Sequence, residues 1–221
     1  MKEITIKELF DLSNTIASPI LSKVRYPWEA LSLIKDFILE TGKTLPTDEY
    51  DEVSPSVWIA KDAIIAESAR INPPCIIGHG AEIRQCAFIR GSAIVGDGAV
   101  VGNSCELKNC ILFNKVQVPH FNYVGDSILG FKSHMGAGAI TSNVKSDKTL
   151  VSTRALGEKI PTNLKKMGAI LGDNVEVGCN SVLNPGTIIG KNSNIYPLSF
   201  VRGYVPANHI FKSPDNIVLK I

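Results

Sequence analysis

The sequence predicts an all-β protein, a parallel β-helix wound from six-residue units, with a short helical segment ahead of it and one loop extruded from the coil. Three observations lead there. Stepping by six from Ile59 meets Ile65, Ile71, Ile77, Ile83, Ile89, Val95, Val101, Leu107 and Phe113, all apolar. A second column, four places after each, reads Ala63, Ala69, Cys75, Ala81, Ala87, Ala93, Ala99 and Cys105, then ends at Ile111 and Gln117. The chain also holds 18 glycines and 12 prolines against 7% aromatic residues, a composition of short strands and corners and not of a helical bundle.

A period of six matches neither the helical repeat nor plain strand alternation. A short strand followed by a tight corner produces it. One large aliphatic side chain points inward and one small residue fits beside the corner. Three such units close a coil of roughly eighteen residues, and each coil buries its face against the next. Cys75 and Cys105 then read as small buried hydrophobes, not as reactive thiols.

The elements follow in order. Residues 1–52 form a helical segment: in "YPWEALSLIKDFILETGKTLP" Pro27 stands near a helix start, Leu31, Ile34 and Ile38 share a face, and Gly42 stands at the end. "KELFDLSNTIASPIL" is a candidate for another short helix. The segment is too small to fold alone and is expected to pack on the first coil and cover its open end. Residues 53–221 are the β-helix. The inward column continues through Val124, Leu129 and Met135 with one step of five. It breaks over 141–168, "TSNVKSDKTLVSTRALGEKIPTNLKKMG", and restarts as Leu171, Val177, Leu183, Ile189, Ile195 and Val201. A polar interruption this long inside a compact domain is expected to leave the coil and line a site, with a neighbouring subunit as its partner.

Composition excludes several classes. The formal net charge of +2 gives no electrostatic footprint for nucleic acid. Five cysteines without a CxxC pair argue against a zinc knuckle or a disulfide framework. The N-terminus lacks the apolar segment of a signal peptide, and no apolar run approaches about 18 residues, so a cytoplasmic protein without a membrane span is expected.

The segments "VGNSCELKNC", "KVQVPHFNYVGDSILG" and "MGAGAITSN", supported by "AILGDNVEVGCNSVLNPG", resemble a known family. It is the acetyltransferase domain of bifunctional N-acetylglucosamine-1-phosphate uridylyltransferase/glucosamine-1-phosphate acetyltransferases. The likeness is closer to archaeal sugar-1-phosphate nucleotidylyltransferases with amino-sugar acetyltransferase activity, and it covers roughly residues 53–205. It implies a left-handed coil, a homotrimer, and acetyl-CoA as co-substrate. It also implies transfer of acetyl to the amine of an amino-sugar 1-phosphate, glucosamine 1-phosphate above all, in UDP-N-acetylglucosamine synthesis. No nucleotidylyltransferase half is recognisable, and "YPWEALSLIKDF" resembles the helix that links the two halves.

Acetyl transfer to an amine needs a base, an oxyanion donor and a hold on both substrates. Histidine is the side chain suited to the proton step near neutral pH, and by resemblance His120 is that base. Tyr123 matches a sugar-binding tyrosine, Ala137 the amide beside the thioester, and Asn143 a residue of the acetyl-CoA site. Asp126 is a candidate to orient His120, although Gly-Asp recurs at 96–97 and 172–173, where turn capping suffices. Arg90 and Lys108 stand eighteen residues apart, one coil, and so on neighbouring rungs about 4.8 Å apart. Two cations so close favour an anion between them, and the resemblance places the sugar phosphate there. The family pattern is broken where His134 replaces a sugar-binding Asn, Val144 a Tyr, Cys179 a coenzyme-contacting Ser and Pro197 an Ala. Three readings compete: this acetyltransferase, an acyltransferase for another amine such as a nucleotide-linked amino sugar, and a non-catalytic trimeric partner of a separate nucleotidylyltransferase. A zinc site of His79, His120 and His134 has the wrong spacing for the trimeric β-helix carbonic anhydrases, and no metal is expected.

Overall fold

The computed structural model describes residues 2–155 and 157–220. The chain winds into the parallel β-helix that the six-residue period predicts, with three faces per coil. One face stacks Val57–Ala60, Cys75–Ile77, Ala93–Val95, the ends of Glu106–Leu112 and Tyr123–Leu129, then Ala169–Leu171, Thr187–Ile189 and Tyr204–Val205. The second runs from Ile64–Ile65 through Val100–Asn103, Gln117–His120 and His134–Met135 to Asn194–Ile195 and His209–Ser213. The third stacks Phe88–Ile89, the starts of Glu106–Leu112 and Tyr123–Leu129, then Ile140–Thr141, Val182–Leu183 and Phe200–Val201.

The register corrects the repeat at one place. Ile77, Val95, Leu112, Leu129, Leu171 and Ile189 pair in one buried inward column, so the step of five first occurs between Leu107 and Leu112. Phe113 lies one residue beyond the column and packs on Phe10, with ring centroids 4.9 Å apart. The small companions in this coil are accordingly Cys110 and Val116, both buried, and not Ile111 and Gln117. A third column was hidden in the same period. Gly80, Cys86, Ser92, Gly98 and Ser104, and later Asn174, Asn180, Gly186, Asn192 and Leu198, all adopt positive φ. Each corner turns through the left-handed region, which Gly and Asn tolerate best.

The N-terminal segment is not a lid over the first coil. Short helices at Ile6–Leu9, Leu12–Asn14, Ser18–Leu21 and Pro27–Ser32 lead into Ile34–Gly42. Together they run lengthwise along the first face. Ile34–Gly42 packs on the strands at 75–77, 93–95 and 106–112, Pro27–Ser32 on Tyr123–Leu129, and the Leu9 carbonyl accepts from the Asp173 N–H. Gly42 abuts Trp58, where a Cβ would come within 2.2 Å of the indole. The strap thereby covers the outward column Trp58, Ile76, Ile94, Ile111, Ile128, Ile170 and Ile188, buried throughout. Apolar triplets such as CII, AIV, CIL and AIL at one-coil spacing carry that signal, since a strand apolar at consecutive positions is covered on both sides. Leu31, Ile34 and Ile38 are the buried face expected of the last helix. The first edge is instead closed by Tyr50–Ser54, antiparallel to Val57–Ala60, so the boundary expected at residue 52 falls inside a strand. The last edge is closed by Asn216–Leu219, antiparallel to His209–Ser213.

The interruption leaves the coil after Thr141 and rejoins it where the N–H of Met167 donates to the Asn143 carbonyl and that of Gly168 to Asp126. Within this chain it docks on its own coil. Strands Ser152–Ala155 and Glu158–Pro161 pair as an antiparallel hairpin and pack on Thr187–Ile189 and Tyr204–Val205, burying Val151, Thr153, Ala155 and Ile160. Among the described residues no helix is long and apolar enough to cross a membrane.

Candidate active site

His120 ends the strand Gln117–His120 and stands exposed at the corner between the second and third faces. Its main chain is tied on both sides. Its N–H donates to Asn122 Oδ1 at 3.1 Å, and its carbonyl accepts from the Gly138 N–H at 3.0 Å. The next rungs continue the corner: the Ala137 carbonyl accepts from the Asn180 N–H, and the Cys179 carbonyl from the Leu198 N–H. His120, Ala137, Cys179 and Pro197 therefore rise as one column. Gly136 is forced by this stacking, because a Cβ there would meet the Cys179 nitrogen at 2.7 Å.

Asn122 is the residue that sequence reasoning passed over in "VPHFNYVGD". It occupies a small-companion position and is buried. Its Nδ2 donates to the carbonyls of Gly136 and Ala139, both at 2.9 Å, while its Oδ1 holds the His120 N–H. One amide side chain thus fixes the His120 corner to the "MGAG" turn. A polar residue in a column otherwise Ala, Cys or Ser was the available signal.

Across the third face lies a second cluster. Asp126, nearly buried, accepts from Lys108 Nζ at 3.0 Å, Asn109 Nδ2 at 2.9 Å and Asn143 Nδ2 at 2.5 Å. Asn143 also donates to the Tyr123 hydroxyl at 3.1 Å. Burial, and then the Asp126 charge, push the Tyr123 hydroxyl pKa up. Gly125 is obligatory between them, since a Cβ would sit 2.4 Å from Tyr123 Oη. Asp126 therefore does not orient His120; its carboxylate is engaged by Lys108, Asn109 and Asn143. The other two Gly-Asp pairs do cap corners: Asp97 accepts from the His79 N–H, and Asp173 from those of Phe131 and Asp11.

Arg90 and Lys108 do occupy neighbouring rungs, with the Arg90 N–H donating to the Leu107 carbonyl, and line one cavity of about 490 Å³. Each has its own carboxylate: Arg90 Nη1 lies 2.7 Å from Glu106, whose hydrogen bond raises the guanidinium pKa, and Lys108 is held by Asp126. The same cavity is lined by Ser32 and Lys35 of the strap. Lys35 was invisible as a site residue because the lengthwise course of the strap brings it there.

His134 stands apart from Tyr123, on the second face. Its Nδ1 lies 2.8 Å from Glu176 Oε2, beside a separate cavity lined by Lys115, Gln117 and Lys132. His79 lies at yet another corner, between Asp62 at 3.1 Å and Glu49 at 3.3 Å.

The family model described as GMPPB C-terminal domain matches residues 71–193, more than half of the chain. A bifunctional protein GlmU of Methanococcus maripaludis is 34% identical over 198 residues, covering 89% of this chain and 48% of that protein. A bifunctional sugar-1-phosphate nucleotidylyltransferase/acetyltransferase of Sulfurisphaera tokodaii is 29% identical over 189 residues, covering 84% and 47%. The chain spans about half the length of these relatives. Among solved structures, the polySia-specific acetyltransferase NeuO superposes with a TM-score of 0.48 at 12% identity, over 72% of this chain and 81% of that one.

Proposed function

Since the chain belongs to the family of GMPPB C-terminal domains, and its relatives include bifunctional nucleotidylyltransferase/acetyltransferases, we propose that it transfers acetyl from acetyl-CoA to the amine of an amino-sugar 1-phosphate, with glucosamine 1-phosphate as the acceptor. The observation that carries this reading is the juxtaposition of an exposed imidazole at a backbone-braced corner with the tethered Tyr123–Asn143–Asp126–Lys108 network on the adjoining face.

In this mechanism the amine nitrogen attacks the thioester carbonyl and its proton passes to His120. The C–N bond forms as the C–S bond breaks, and the proton then goes to the departing thiolate of coenzyme A. The Ala137 amide faces the developing oxyanion, with Asn143 and Cys179 along the coenzyme arm. Tyr123 faces the sugar, and Arg90 and Lys108, joined by Lys35, face its phosphate; His134, held by Glu176 on the second face, lies outside this sugar site. The test is thiol release from acetyl-CoA across a panel of amines. Turnover that requires an amino-sugar 1-phosphate supports the reading, whereas preference for a nucleotide-linked amino sugar, or no turnover with any amine, overturns it.

The phosphate assignment has its own test. Arg90→Ala and Lys35→Ala are each expected to raise KM for the sugar phosphate and leave KM for acetyl-CoA nearly unchanged, because the phosphate does not react. A charge-assisted contact of about 1.5–3 kcal/mol corresponds to about 10- to 150-fold in kcat/KM. The defect should shrink with glucosamine lacking phosphate. Equal damage with both acceptors would return these residues to the scaffold.

The active assembly in this reading is a homotrimer. Leu198 and Phe121 occupy left-handed corner positions, with φ of 58° and 53°, and are 79% and 62% exposed. A large apolar residue is unfavourable there on both counts. Phe121 beside His120, and Leu198 with exposed Tyr196 and Phe200 beside Pro197, are two apolar points of one corner column that copies of the same chain would cover around a threefold axis. Leu198→Asp combined with Phe200→Asp is expected to give an inactive monomer by light scattering. An active monomer would exclude the trimer.

A further inference from the structure

The outer surface of the extruded hairpin carries a charge arrangement that the proposed chemistry does not use. Arg154 and Lys159 are directly opposed in the antiparallel ladder. Like charges at opposed positions destabilise a strand pair. Arg202 and Lys145 join them around one cavity of about 120 Å³, with Ser152, Pro185 and Gly203 completing the wall. Lys145 has a carboxylate partner in Asp147 at 3.2 Å, whereas Arg154, Lys159 and Arg202 have none among the described residues. Elsewhere on the coil Arg84 and Arg90 are each matched by a glutamate.

The backbone holds these cations together. The buried inner side of the hairpin fixes it to the last coils. Gly203, at φ 83°, lets Arg154 pass close above the corner: a Cβ there would lie 3.0 Å from the Arg154 carbonyl oxygen and 3.4 Å from its Cβ. Gly186 seats Ser152 in the same way, 2.8 Å from its carbonyl oxygen. Glycine at these two corners thus keeps three uncompensated cations converged.

We infer that this pocket is an oxyanion site that takes one phosphoryl group of a small phosphorylated ligand. A cavity of this size accommodates a single tetrahedral anion. Two guanidinium forks offer paired N–H groups to phosphate oxygens. The site shares no lining residue with the Arg90, Lys108 and Lys35 cavity, so it stands or falls apart from the acceptor phosphate assigned there.

The experiment compares the full chain with Arg154→Gln, the double variant Arg154→Gln/Arg202→Gln, and Arg90→Gln, in phosphate and in chloride at matched ionic strength. Inorganic phosphate is expected to raise the Tm of the parent protein and of Arg90→Gln. The double variant should lose the part of that protection that Arg90→Gln retains, and combined with Arg90→Gln it should bind phosphate at least about 10-fold more weakly than Arg90→Gln alone by titration calorimetry. Arg154→Gln should melt no lower, and even higher, than the parent in chloride, because it relieves the Arg154–Lys159 opposition, yet lower in phosphate. That sign reversal separates an anion site from a merely structural arginine. Coenzyme A and dephospho-coenzyme A identify the source. If the phosphoryl group is the coenzyme's 3′-phosphate, the double variant weakens coenzyme A alone. If it belongs to another ligand, coenzyme affinity is unchanged and phosphate still protects the coenzyme-saturated protein. Phosphate protection that is absent in the parent, or unaltered in the double variant, overturns the inference.

Discussion

Replacing His120 by alanine is expected to lower kcat by about 10²–10⁴, the usual contribution of a positioned general base, with little change in stability. The two halves of this expectation come from the same geometry. The corner is held by main-chain bonds, from the His120 N–H to Asn122 and from the Gly138 N–H to the His120 carbonyl, and alanine keeps both. The imidazole is exposed, so its loss falls in the range of surface substitutions, about 0.5 kcal/mol. Steady-state kinetics on a variant with unchanged thermal unfolding would measure the effect. Near-normal turnover would remove His120 from the mechanism.

Asp126→Ala should have the opposite signature, with stability lost together with activity. The carboxylate is 5% exposed and balances Lys108, whose side chain is 26% exposed. Removing one partner of a buried pair costs about 3–5 kcal/mol, because the remaining charge is left without compensation. Asn109 and Asn143 lose their acceptor as well, and Tyr123 loses the group that positions Asn143. Asp126 also sits at φ 49°, where alanine is strained and asparagine is tolerated. Asp126→Asn should therefore recover part of the stability while leaving Lys108 unpaired. Urea unfolding of the three proteins would show the order Asp, Asn, Ala. A loss below about 1 kcal/mol in the alanine variant would mean that the network is not a structural hub.

Much of this was legible in the sequence because a six-residue period places one residue per face inward, whatever lies outside. The buried column from Ile77 to Val205 follows from that alone. His120 stood out as a candidate because a polar motif interrupts an aliphatic lattice. What the period cannot report is which outward side is covered. Ile76 and Ile94 fall outside both six-residue columns and Ile111 was placed among the small companions, and only the course of the strap shows them as a second core. The slip at Leu112 was masked because Phe113 is also apolar, though it packs outward on Phe10. Asp126 was paired with the wrong partner because proximity in sequence suggested His120. The coil places Asp126 at the far edge of the next face, beside Lys108 one rung away.

The lengthwise strap also sets an order of events during synthesis. Its last residue, Gly42, meets Trp58, its middle meets Tyr123–Leu129, and Leu9 meets Asp173. The strap doubles back on the way: Ser13, Thr15 and Ile16 stand beside His79, Asp97 and Asn114, on earlier coils than the seat of Pro27–Ser32, so it is laid down in two passes. The contact between residues 11 and 173 is distant in sequence, yet it closes only the span left beyond the contact of Asn14 with Asn114. The stretch of strap around Leu9 stays unseated until the coil that carries Asp173 arrives.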